Sequence, residues 1–183
     1  MKQIKNPTEP NPTGNKVHST LPFELPPQAI SDLNVDESLF KNLDAIAWDR
    51  LAHAYGPAIE APQWIRALAS EDEEVRNEAV NGFLHSAICH QYSVYSATPF
   101  VIPFVITLLQ QPNIRERPIS GGLLKQELLG FLRACTQHHP IKPEIRQAII
   151  QGHDTYVTLL HDADQRTAAE AGKLVAFCGQ ASC

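Results

Sequence analysis

The sequence predicts an all-α fold built from antiparallel helix pairs stacked side by side. Three observations predict it. Apolar residues recur at three- and four-residue steps through most of the chain beyond residue 33. Pro, Gly and Asp interrupt that rhythm where helices start and stop. One turn-plus-helix layout also occurs twice, about 90 residues apart, as a repeat architecture requires. The chain divides into a Pro-rich segment, residues 1–33, and a helical-repeat domain, residues 34–183.

Composition narrows the function classes. The 183 residues are 43% hydrophobic and 19% charged, ordinary for one globular domain. A net charge of −5 argues against a general nucleic-acid binder, which presents a basic face to phosphates. The cysteines Cys89, Cys135, Cys178 and Cys183 form no CxxC pair, and three sit in apolar helical context as small hydrophobes. No disulfide framework is needed, which suits a reducing compartment. The start, MKQIKNPTEPNPTGN, lacks the apolar run of a secretory signal, and no stretch approaches the length of a membrane span. These features point to a cytoplasmic protein that does not enter membranes.

Six of the 14 prolines precede Gln28, so residues 1–33 read as a disordered or draped tail. The alternation of Leu21, Phe23 and Leu25 also fits an extended segment clipped onto the body. From Asp36, a helix is expected with Leu39, Leu43, Ile46 and Leu51 on one face, ending at Tyr55-Gly56-Pro57. Pro62 opens a short helix through Trp64, Ile65 and Leu68. Ser70 and Glu73 have capping-box spacing, and the run Glu71-Asp72-Glu73-Glu74 suits a helix N-terminus. That helix buries Val75, Ala79, Phe83 and Ala87. Thr98-Pro99 starts the next, kinked at Pro103. Residues 110–122 read as a loop, 123–135 as a helix broken by His138-His139-Pro140, and Pro143 opens a helix bent at Gly152. Asp162-Ala163-Asp164 caps a last helix running to Cys178, with Gly179 just past its end.

The repeated layout is Leu68-x-Ser70-x-Asp72-x-x-Val75-Arg76-x-x-Ala79 and Leu160-x-Asp162-x-Asp164-x-Arg166-x-x-Ala169. The Asp accepts from the first amides of the following helix, the Arg pairs with it or with a neighbouring repeat, and Ala lets helices approach. A longer ordered set includes Trp48-x-x-Leu51-x-His53-Ala54-Tyr55-Gly56-x-Ala58, then Pro62 and the Asp72 layout. It continues with Ile88-x-His90-Gln91-x-x-Val94-Tyr95-x-Ala97-Thr98 and Ile102-Pro103-Phe104. Over residues 45–178 this set resembles a family of bacterial HEAT-repeat proteins. The resemblance implies a short armadillo-like α-α superhelix (an α-solenoid) and an interaction protein. Some members occur near toxin genes, which implies immunity or adaptor roles. Where other members carry Gly-Thr after His-Gln, this chain has Tyr92-Ser93.

The resulting functional expectation is a non-catalytic protein-binding module with a concave face formed by residues 72–90, 123–137 and 164–178. Arg76, Arg133 and Arg166 are its candidate recognition residues, with Glu78 and Glu127 as acidic neighbours. The joint His90, Gln91, Tyr92 and Tyr95 is the second candidate. There, the tyrosines are amphipathic anchors or the polar groups satisfy a helix end. His85 and Cys89 have zinc spacing without further ligands. His153/Asp154 and His161/Asp162 lack a nucleophile in a recognisable setting, and GxSxG, P-loop, GxGxxG and HExxH motifs are all missing. No catalytic residue, metal or cofactor is therefore assigned. The competing classes are an enzyme on the same scaffold, of DNA-glycosylase or bilin-lyase type, and a structural oligomer.

Overall fold

Two aspartates set the frame. Asp72 Oδ1 accepts from the amides of Glu74 (2.8 Å) and Val75 (3.3 Å), and Asp164 Oδ1 accepts from the Thr167 amide (2.7 Å) and hydroxyl (2.8 Å). Each caps a helix whose first amides have no intrahelical partner. The computed structural model describes Leu21, Pro22, Leu25 and residues 36–180. Leu21 and Leu25 are buried in the core; the remainder of the 1–33 segment, Phe23 included, lies outside the described residues, as does Cys183.

The chain is mostly helical. Helices α1 (Ala61–Ala67) and α2 (Glu73–Glu78) form the first pair, and α2 continues as a π-helical segment, Ala79–Ile88. Helix α3 (Thr98–Leu109) is followed by a single turn, α4 (Pro112–Arg115), and by α5 (Leu124–Thr136). The last group comprises α6 (Pro143–Ile150), α7 (His153–Leu159) and α8 (Gln165–Gly179). α5 packs against both the π segment and α8, and α3 packs against α6. α1 rests on the π segment, α3 on α5, and α7 on α8. The core between them is aliphatic, with Trp64 stacked on Phe83 at 6.1 Å.

Three two-residue hairpins join the helices: β1 (Ala52–His53) with β2 (Gly56–Pro57), β3 (Cys89–His90) with β4 (Ser93–Val94), and β5 (Pro118–Ile119) with β6 (Gly122–Leu123). Each is antiparallel and closed by a two-residue loop.

Several local expectations change. The helix expected from Asp36 is instead three 3-10 turns, Glu37–Phe40, Leu43–Ala45 and Trp48–Arg50. Asn42 sits at φ 68°, outside the right-handed region, and the Trp48 indole takes the Leu43 carbonyl at 2.8 Å. The buried residues Phe40 and Leu43 are three apart, a spacing that 3-10 turns satisfy as well as an α-helix does. The first-pair cap is Asp72, not Ser70; the Ser70 hydroxyl accepts from the Asp72 amide at 3.1 Å. Residues 110–122 contain α4 and most of the third hairpin. Gly179 is the last residue of α8, with Gln180 as its C-cap.

Candidate interaction site on the hairpin edge

The first two hairpins lie against each other. The Ala54 amide donates to Ala87 O (3.0 Å), the Ala97 amide to Ala52 O (3.0 Å), and the Ala52 amide to the Ser96 hydroxyl (2.8 Å). Thr98 closes the second hairpin: its hydroxyl accepts from the Tyr95 amide (2.9 Å) and donates to Ile88 O (2.7 Å). Lys142, from the loop before α6, donates to Val94 O at 3.3 Å. Loops 52–60, 89–97 and 137–142 therefore share one edge of the molecule.

Histidines organise this edge. His53 is buried, and its Nδ1 accepts from the Tyr55 amide at 3.0 Å. Its proton therefore sits on Nε2, which donates to Glu60 Oε1 at 3.2 Å. On His90 it is Nδ1 that carries a proton: a carbonyl only accepts, so Nδ1–H donates to Ser86 O at 2.9 Å. The Tyr55 ring lies edge-on to both, with centroids 6.2 Å from His53 and 6.1 Å from His90.

The second turn is conformationally costly. Gln91 (φ 48°) and Tyr92 (φ 64°) both occupy left-handed backbone, as a type I′ hairpin demands. Asn-Gly is the favoured pair there, and a bulky side chain at positive φ costs about 1 kcal/mol or more. The ring held in that position is 56% exposed, and Tyr55 on the first hairpin is 38% exposed.

The structure thus brings His90, Gln91, Tyr92 and Tyr95 together on one short hairpin. Arg133 and Arg166 belong to a separate patch on α5 and α8. Arg166 Nη2 lies 3.0 Å from Glu127 Oε1, and Arg133 Nε lies 2.6 Å from Glu170 Oε2. His85 Nε2 is 3.3 Å from the other Glu127 oxygen. His85, with Arg166 behind it, holds the Glu127 carboxyl below its usual range despite burial. Arg76 leaves the candidate set. It is only 2% exposed, and its guanidinium donates to Ser70 O (2.8 Å) and Pro118 O (2.5 Å from Nη2, 3.2 Å from Nε). Burial, then the nearby Arg117 charge, pushes its pKa down. It is a structural clamp.

The residues not singled out as site candidates are His53, Tyr55 and Glu60. A signal for them was present. His53-Ala54-Tyr55 and His90-Gln91-Tyr92 are the same pattern 37 residues apart, each followed by a proline nine residues after the histidine, Pro62 and Pro99. Among the described residues, no group of three or more His, Cys, Asp or Glu side chains is placed to hold a metal ion. None of their helices is long and apolar enough to cross a membrane.

No protein-family model, curated protein or solved structure matches the chain.

Proposed function

We propose that the chain is a HEAT-like helical-repeat module that binds another protein through its hairpin edge. Tyr92 carries this reading. A bulky residue held at positive φ with its ring in solvent is a poor choice for folding and a good one for recognition. Tyr55 supplies a second anchor, oriented by His53 and His90. Backbone bonds tie the first hairpin to the residues that flank the second, which lowers the ordering left for association. The Arg133 and Arg166 patch then forms a polar rim rather than the centre. The packing of α1 on the π segment, α3 on α5 and α7 on α8 supports the stacked-pair reading of the architecture.

The test uses Tyr92→Gly, which removes the ring and suits the left-handed turn. Tagged wild-type chain and the variant are compared by quantitative affinity capture, and the partner so found is titrated against both. A partner bound at least tenfold more weakly by the variant supports the reading. Equal enrichment by both chains, or no partner enriched by either, removes it.

A further inference from the structure

The π segment packs on α5. His85 faces Phe131, with ring centroids 6.3 Å apart. Four residues further along the chain from each ring stand Cys89 and Cys135. Cys89 lies in β3, a strand of two residues that packs on α5, and Cys135 lies in the last turn of α5. Both thiols are buried and free. The Cys135 side chain lies beside Cys89, and the Tyr92 backbone turns next to the same sulfur.

We infer that Cys89 and Cys135 form a reversible dithiol–disulfide pair that ties the second hairpin to α5 when the protein meets a peroxide. The two sulfurs are chemically unequal, which sets the order of events. The Cys135 side chain, and then the Tyr92 backbone, hold the Cys89 thiol below its ordinary value against the opposing effect of burial. Burial pushes the Cys135 thiol well up, and the Cys89 side chain beside it adds to that. Cys89 is therefore the nucleophile. Its thiolate attacks one peroxide oxygen, the O–O bond breaks, and a sulfenic acid and water form. Cys135 sulfur then attacks the Cys89 sulfur, the S–O bond breaks, and a second water leaves with the thiol proton. Two thiols are oxidised and one peroxide is reduced to two waters. A small-molecule dithiol reverses the change by exchange. Cys178 is the internal comparison: it is also buried, and burial alone raises its pKa. This inference stands whether or not the hairpin edge binds a protein.

The experiment treats the native full-length chain with hydrogen peroxide, blocks remaining thiols with an alkylating reagent, and maps tryptic peptides. Trypsin separates the Cys89 and Cys135 peptides from the one that carries both Cys178 and Cys183. The expected result is a mass loss of about 2 Da in the intact chain and a Cys89–Cys135 linked peptide that dithiothreitol removes. Cys89→Ala and Cys135→Ala should each abolish the link, and in Cys135→Ala the Cys89 sulfenic acid should accumulate to a dimedone-reactive level. Three outcomes overturn the inference: a link between Cys135 and Cys178, oxidation confined to Cys178 or Cys183, or a Cys89–Cys135 link that forms only in urea. If either alanine variant fails to fold, the wild-type map alone still decides.

Discussion

The two loop edges of the molecule solve the same problem in opposite ways. Helix ends leave carbonyl groups without partners. On the edge formed by loops 69–72, 110–123 and 160–164, long cations meet that need. Arg76 and Arg117 both donate to Ser70 O, Arg76 also to Pro118 O, Arg117 also to Ala69 O, and Arg115 to Leu109 O at 2.9 Å. Lys125, almost fully buried, bridges Glu116 (2.8 Å) and Asp162 (2.9 Å). Burial opposes its charge, but those two carboxylates outweigh it and raise its pKa. On the hairpin edge, the orphan carbonyls are met mostly by shorter groups: Ala87 O by the Ala54 amide, Ile88 O by the Thr98 hydroxyl and Ser86 O by the His90 imidazole, with Lys142 donating to Val94 O. The clamped edge commits its reactive groups to the fold. The hairpin edge leaves Gln91 and Tyr92 exposed to solvent.

Substitutions should separate the edges in a graded way. Arg76→Ala strands buried carbonyls on two loops and should cost about 3 kcal/mol, read as a drop in thermal midpoint. A loss under about 1 kcal/mol would mean that Arg117 alone holds the clamp. Lys125→Met should cost about 2 kcal/mol in urea denaturation, because Asp162 is left inside without its cation while Glu116 can reach solvent. On the hairpin edge the sign reverses. Tyr92→Gly should stabilise by about 1 kcal/mol through relief of the left-handed strain, while partner affinity falls. A destabilised Tyr92→Gly would show that the ring is a packing residue. Tyr55→Ala should change stability by about 0.5 kcal/mol or less and still weaken the partner complex, as calorimetry would report. The smallest effect concerns pH at the clamped edge. The Gln126 amide, then the Thr167 amide and hydroxyl, lower the Asp164 pKa to about 2. A depressed carboxyl contributes stability above its unfolded pKa and loses it as pH falls. Unfolding followed by circular dichroism between pH 4 and pH 2 should therefore be less steep in Asp164→Asn, and identical slopes would exclude the cap as an acid-sensitive point.

Much of the helical frame was legible because caps and periodicity are local. Asp72, Asp164, Pro62, Pro99 and Pro143 mark helix starts within a few residues of the observed ones. The first element was misread because its apolar spacing suits two helix types, and one tryptophan hydrogen bond to a carbonyl tips the choice. The third hairpin was hidden in a Pro- and Gly-rich stretch, since two-residue strands carry almost no periodic signal. In the candidate site, the His90–Tyr95 joint stood out as a polar string with no place in the helix rhythm. Its partner on the first hairpin, His53 and Tyr55, did not, although the same pattern recurs 37 residues later.

By itself, then, the sequence determined the all-α class, the main helix starts and the position of the joint between the first two helix pairs. Those depend on residues within one or two turns of each other. The tertiary structure decided the rest. Arg76 and Arg166 occupy matching places in the repeated layout, yet one is buried on backbone carbonyls and the other is exposed beside Glu127. Their fates differ because the contacts that set them come from Pro118, 42 residues away, and from Glu127, 39 residues away. Partners at that separation leave no periodic trace in one chain.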